Sequence, residues 1–302
     1  MVAHSAVRGW AVVFAALLVL YILLQPTTEI RGSSKWLCAR FETESAAATY
    51  VWSHRGHADG GNRFVDGSSE AQLVLIQGGV TRFDVDCSFL DDIFYIAHPS
   101  VIEKLDTPRK RKDLQTLDSF LSNLSEAPAT TRLVTIEPKF DDSSLWSALL
   151  EKLTSSEVAT STAIVLNEPS QLALVEAYYS DRAELREKGP QARISVAIAY
   201  RSLPKTPHDW SWKADNSASE GRLLQHSDKF RSIAMPDVKL LAPSNQKRRR
   251  GSVGLIIVPW LVDDEASLMK AIMQGDDGVV SNKPLALRSR LVALYAEKCG
   301  KH

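Results

Sequence analysis

Two carboxylates two positions apart, Asp84 and Asp86, lie within the stretch Gly78–Ser100, GGVTRFDVDCSFLDDIFYIAHPS, and a second short apolar run there, Phe94-Tyr95-Ile96-Ala97, ends at His98. Side chains two apart on a strand share a face, so a strand over 80–86 aims both carboxylates at one spot. Like charges held side by side need a bound cation or a shared proton. Two further strand-like runs also end in ionisable residues. Tyr50-Val51-Trp52-Ser53 leads into His54-Arg55-Gly56, and Leu133-Val134-Thr135-Ile136 leads into Glu137-Pro138-Lys139. Glu137 and Lys139 again share a face, and Pro138, which cannot donate a ladder hydrogen bond, marks a point where strand pairing fails.

Asp84, Asp86 and Glu137 make an oxygen-only donor set suited to Mg²⁺ or Ca²⁺ and poorly suited to zinc, which prefers nitrogen and sulfur. His54 and His98 are candidates for acid and base, because imidazole titrates near neutral pH. Arg55 and Lys139 supply positive charge for a phosphate, with Arg the better fork for its oxygens. Each residue alone has a plainer use, in capping, packing or ion pairing. Their joint placement at strand exits is what points to chemistry: a hard cation, two imidazoles and two cationic side chains are the parts needed to cleave a phosphodiester.

The elements that position these groups alternate in type. Strands are expected near 50–54, 80–86, 132–137, 162–166, 193–199, 231–235 or 237–241, 254–260 and 277–281, with helices over 68–77, 113–124, 143–153, 169–187, 264–274 and 285–297. In 143–153, Leu145, Leu149, Leu150 and Leu153 recur at helical spacing, with Ser143 or Ser144 as the cap. About eight such units over some 250 residues predict a (β/α)8 TIM barrel, with an open doubly wound sheet as the other arrangement. In a barrel, functional groups collect at the C-terminal rim, where all three ionisable clusters fall. Residues 203–228, with two prolines and two tryptophans, read as a loop insertion in the barrel's second half.

Residues 9–24, GWAVVFAALLVLYILL, form an uninterrupted apolar run after Arg8. A membrane span needs about 20 residues and a signal-peptide core about 7–15, so the run falls between them. No A-x-A-like cleavage site follows. The division read from this is an N-terminal tail 1–8, a signal anchor or transmembrane helix 9–25, a polar linker 26–46 and the barrel 47–302. The body is then luminal or extracellular on a single-pass membrane protein, or secreted if the segment is cleaved. Asn123-Leu124-Ser125 is an N-glycosylation sequon that matters only in such a compartment. Net charge is zero and hydrophobic content 44%, which fits a globular body and gives no support to nucleic-acid binding. The short basic run Lys247-Arg248-Arg249-Arg250 reads as a solvated loop. Cys38, Cys87 and Cys299 show neither metal spacing nor an even disulfide framework, though a link between Cys38 and Cys299 would join the two ends.

The ordered motifs resemble the glycerophosphodiester phosphodiesterase family, phospholipase-C-like barrels with His-Arg-Gly after the first strand, Glu-x-Asp on the second, His-Asp shortly after and Glu-x-Lys on the third. The matching residues are His54-Arg55-Gly56, Asp84-Val85-Asp86, His98-Pro99 and Glu137-Pro138-Lys139. Leu114–Leu121 is similar to the family's Pro-Thr-Leu helix. The stretch from Val258-Pro259-Trp260-Leu261-Val262 to Ser281-Asn282-Lys283-Pro284 is similar to its Trp-Thr-Val-Asn and Gly-Val-Asp-Gly-Ile-Ile-Thr-Asp-x-Pro ending.

The resemblance implies that Asp84, Asp86 and Glu137 bind Mg²⁺ or Ca²⁺, that His54 and His98 are the acid–base pair, and that Arg55, Lys139 and Trp260 contact a glycerophosphodiester or lysophospholipid. Asp84 replaces the family's usual Glu and is one methylene shorter. Pro99 replaces the usual Asp, removing a polar neighbour that orients His98. Two other outcomes stay open: a sphingomyelinase-D-like lyase with a cyclic phosphate product, and a degenerate membrane-anchored barrel with a binding role.

Overall fold

The computed structural model describes residues 37–58, 65, 67–105, 114–129, 131–167, 169–182, 194–200, 232–236 and 255–300. The apolar segment 9–25, the insertion 203–228 and the basic run 247–250 lie outside the described residues. Among the described residues, no helix is long and apolar enough to cross a membrane.

Strands β1 (Val51–His54), β2 (Arg82–Leu90), β4 (Leu133–Pro138), β5 (Thr162–Leu166), β6 (Ser195–Tyr200), β7 (Ser232–Pro236), β8 (Leu255–Ile257) and β9 (Val279–Ser281) lie in the order β8-β7-β6-β5-β4-β2-β1-β9. Every neighbouring pair in that order is parallel. The order closes where Val280 N–H donates to Pro259 O and Val262 N–H donates to Val280 O, each at 2.9 Å. These bonds tie the segment after β8 to β9 at the other edge of the sheet, the closure that the expected barrel requires. Of the two alternatives for the sixth expected strand, 231–235 corresponds to Ser232–Pro236, and 237–241 lies outside the described residues.

Inward-facing positions follow the period of two. Trp52, Leu133, Ala163, Val165, Ala197, Val258 and Val280 fill the interior. The α-helices are α1 (Glu44–Ala48), α2 (Ser69–Gln77), α3 (Pro99–Lys104), α4 (Leu117–Ser125), α5 (Ser143–Ser155), α6 (Pro169–Ser180), α7 (Glu265–Gln274) and α8 (Pro284–Cys299). Ser68, Thr116 and Asp264 cap α2, α4 and α7 by accepting from the backbone N–H three residues on. On α5 the cap is Asp142, one residue before the expected serines, and its carboxylate accepts from Ser144 and Leu145 N–H.

Two features depart from expectation. Residues 37–46, expected as part of a polar linker, pack onto the body: Leu37 and Phe41 are buried with α8, and Cys38 is bonded to Cys299 across 261 residues of sequence. Two apolar side chains spaced among polar ones give too weak a periodicity to stand out, yet they suffice when a neighbouring helix supplies the partner surface. The second is β3 (Ile93–Ile96), an antiparallel strand paired to the outer half of β2. Its two-residue turn, Asp91-Asp92, has both residues at positive φ, 49° and 62°, the geometry that matches the twist of a hairpin.

Candidate active site

Register places the candidate groups at two levels of the rim. His54 pairs with Asp84 across β1 and β2, and Asp84 with Thr135 across β2 and β4. One side-chain step further out, Asp86 pairs with Glu137. The β2–β3 hairpin carries His98 to the same place: Ile96 returns to the level of Cys87, Ser88 Oγ donates to Ala97 O at 2.7 Å, and His98 follows directly. Just past β1, Arg55 is at φ +52° and Gly56 at φ +69°. A left-handed non-glycine residue costs about 1 kcal/mol and needs a reason. Here the turn folds the guanidinium back onto Asp86.

Asp86 is the hub of the charges. It is only 5% exposed, with Arg55 Nε at 2.9 Å from Oδ2 and Lys139 Nζ at 2.9 Å from Oδ1. The Arg55 contact is close as charges but misaligned for a hydrogen bond, which leaves Asp86 Oδ2 buried without one. Lys139 Nζ also contacts Glu137, so one ammonium lies between two carboxylates. Glu137 in turn accepts from Asn167 Nδ2 at 3.0 Å.

Asp84 accepts from Thr135 Oγ1 at 2.6 Å. Part of its residue surface reaches solvent, but protein atoms crowd the carboxyl. That burial, with the neighbouring Asp86 and Glu137 charges, pushes its pKa up to about 7, against the opposing effect of the Thr135 bond. The folded state therefore holds this proton more tightly than the unfolded chain, where it titrates near 3.8. A raised carboxyl removes stability as pH climbs from about 4 to about 7. In chelator-treated protein, Asp84→Asn is expected to flatten this slope, read as a smaller fall in urea midpoint than wild type over the same window.

The two histidines sit in different surroundings. His54 Nδ1 lies 2.7 Å from Asn282 Oδ1, and burial holds its pKa below the ordinary value, partly offset by that bond. Its ring centroid is 6.0 Å from His57 and 6.5 Å from Trp260, so Trp260 lines the same side of the mouth. His98 caps α3: its Nδ1 accepts from Ser100 N–H at 3.2 Å and lies 2.8 Å from Ser100 Oγ. Partial burial, then the Arg55 and Lys139 charges, hold its pKa down against the opposing charges of Asp86 and Glu137. The missing Asp after His98 therefore does not leave the ring without a polar neighbour, because Pro99 starts the helix and Ser100 orients the imidazole.

All eight sequence candidates gather at one end of the barrel. The three carboxylates do not form the expected array on one point. Among the described residues, no three His, Cys, Asp or Glu side chains are arranged to hold a metal ion. The donor set nevertheless fits a hard cation in kind. It is all oxygen, Asp86 Oδ2 is buried without a hydrogen bond, and Lys139 Nζ shows that Asp86 and Glu137 already present a seat for positive charge. Sequence reasoning missed Thr135, Asn167, Asn282, Asp263, His57 and Ser100. Carrying the period of two one step past the strand ends, from Val165 to Asn167 and from Val280 to Asn282, was the available signal.

No family model matches the chain, and no curated protein matches it by sequence. Solved structures do match. A glycerophosphodiester phosphodiesterase from Parabacteroides distasonis is 14% identical at a TM-score of 0.57, covering 81% of this chain and 97% of its own. An Oleispira antarctica phosphodiesterase in complex with the product sn-glycerol-3-phosphate is 15% identical at a TM-score of 0.55, covering 79% and 95%. A glycerophosphodiester phosphodiesterase from Agrobacterium tumefaciens is 15% identical at 0.53, covering 80% and 99%. At such identities the likeness shows a shared fold.

Proposed function

We propose that this barrel is a phosphoric diester hydrolase that cleaves glycerophosphodiesters, or the related lysophospholipids, to a phosphomonoester and an alcohol. The observation that carries the reading is the convergence of His54 and His98 with the Arg55–Asp86–Lys139–Glu137 charge cluster on one barrel rim. The shared fold supports it, as does the product held by the Oleispira antarctica structure.

Arg55 and Lys139 bind the phosphoryl oxygens, and Trp260 packs against the rest of the substrate. Asp84, Asp86 and Glu137 are the residues that would hold Mg²⁺ or Ca²⁺, which when bound would supply a Lewis-acid charge for the developing oxyanion. His54 Nε2 takes the proton of the attacking water as the new P–O bond forms. His98, protonated to the imidazolium before the step with Ser100 Oγ able to accept from Nδ1, gives its Nε2 proton to the departing alkoxide as the old bond breaks and ends neutral, and solvent returns each ring to its starting state.

Full-length protein incubated with glycerophosphodiesters and lysophospholipids, with products followed by phosphorus NMR, tests this. Expected are a phosphomonoester product, loss of turnover with chelator, and recovery with Mg²⁺ or Ca²⁺. A cyclic phosphate product would indicate a lyase instead. No turnover and no calorimetric heat on metal titration would indicate a binding barrel, the reading favoured by the hold of Lys139 and Arg55 on Asp86.

The barrel is further read as facing a luminal or extracellular compartment, anchored through residues 9–25. The Cys38–Cys299 bond supports this, since disulfides persist in oxidising environments. Protein taken directly from its native source into alkylating buffer is expected to migrate faster without reductant than with it. Identical migration would place the body in a reducing compartment.

A further inference from the structure

Asp263 and Asn282 bear on His54 through a chain of hydrogen bonds whose donors and acceptors leave no freedom. Asp263 lies just past Val262 in the segment that closes the barrel, and Asn282 follows β9. One carboxylate oxygen of Asp263, Oδ1, accepts from Asn282 N–H at 2.7 Å and from Ser281 Oγ at 2.9 Å. The other, Oδ2, faces Asn282 Nδ2 at 2.9 Å. An ionised carboxylate only accepts, so the amide of Asn282 must turn its NH₂ to Asp263 and its Oδ1 to His54. An amide oxygen also only accepts. His54 Nδ1, 2.7 Å away, must therefore carry the proton, and Nε2 is left as a bare lone pair.

His98 is held in the opposite sense. The backbone N–H of Ser100 can only donate, so His98 Nδ1 accepts, and the neutral ring carries its proton on Nε2.

We propose that Asp263 and Asn282 are positioning residues that lock His54 in the Nδ1–H tautomer and so assign it the base role, leaving His98 as the proton donor. The proposal rests on the phosphodiesterase reading for its catalytic consequence, but the tautomer itself does not. The lock is stronger than a single His–Asn contact. Asp263 is fixed by two other donors, so the Asn282 amide cannot flip without setting its oxygen against a carboxylate.

Asp263→Asn gives the sharpest test. The new side chain keeps its oxygen toward Ser281 Oγ and Asn282 N–H and presents NH₂ to Asn282. The Asn282 amide then rotates, offers its own NH₂ to His54 Nδ1, and inverts the tautomer. Long-range proton–nitrogen NMR of the full chain labelled at histidine, with His54→Gln to assign the ring, reads this without substrate.

In wild type, neutral His54 is expected as Nδ1–H, and in Asp263→Asn as Nε2–H. Asn282→Ala, which removes the acceptor, is expected to lose the Nδ1–H signature too and serves if the first variant does not fold. In both variants kcat is expected to fall about a hundredfold or more with KM within about twofold, as for a base presented in the wrong tautomer. An Nε2–H signature for wild-type His54 overturns the lock. So does an Nδ1–H signature retained in either variant, whatever happens to kcat. Protein that shows the lock but cleaves no phosphodiester overturns the function and leaves the lock standing.

Discussion

His54→Ala is expected to lower kcat on a glycerophosphodiester about a thousandfold, and His98→Ala to do the same to within a factor of ten, with KM changed only a few-fold. Removing a positioned acid or base typically costs about 10²–10⁴ in rate. The middle of that range applies because each ring is held by specific bonds, His54 by Asn282 and His98 by Ser100. Both rings titrate below the ordinary histidine value, chiefly through burial. His54 is thus neutral and competent as a base at pH 7, and the acid limb of kcat/KM is expected below about pH 6.5. Steady-state assays of alcohol release check all three. Wild-type turnover in either alanine variant would remove the acid–base pair from the mechanism.

Asp86→Ala is expected to damage both stability and activity. The substitution leaves Arg55 and Lys139 facing each other without the carboxylate that separates their charges. Removing one partner of a fully buried pair costs about 3–5 kcal/mol. About 2–3 kcal/mol is expected here, because the Arg55 side chain is 35% exposed and Lys139 keeps Glu137. Urea unfolding followed by circular dichroism measures it. Turnover should fall at least a hundredfold in the same protein, since under the proposed function the variant loses a metal ligand and the anchor of the phosphate-binding cations together. An Asp86→Ala protein with wild-type stability would mean that the ion pairs contribute nothing net. One with wild-type turnover would remove the charge cluster from the chemistry.

The rim residues that were legible in the sequence share one property: each stands at or just past the end of a strand whose own apolar period announces it. Asp84 and Asp86, Glu137 and Lys139, and His54 after Trp52 all fall where the period of two puts them, and register across β1, β2 and β4 brings them level. Thr135, on the same inward face, carries no such mark, because a threonine in a strand interior reads as β propensity, although it sits level with Asp84 and bonds it. Asp91-Asp92 lacks the glycine that usually marks a two-residue hairpin, so the sequence shows β3 only as an apolar run. Its pairing with β2 is what lifts His98 to the rim.

By itself, the sequence determined the alternation of strands and helices, the inward face of each strand, and hence which ionisable groups share the rim. Those follow from the local periods of 2 and 3.6 residues and need no distant partner. Only the tertiary structure decided which charge meets which: that Lys139 lies between Asp86 and Glu137, that Cys38 joins Cys299, and that Asn282, 228 positions from His54, fixes the proton on its ring. Ion pairs and hydrogen bonds act over a few ångströms in space with no regard for distance along the chain. Their partners are therefore set only when closing the barrel brings β9 beside β1.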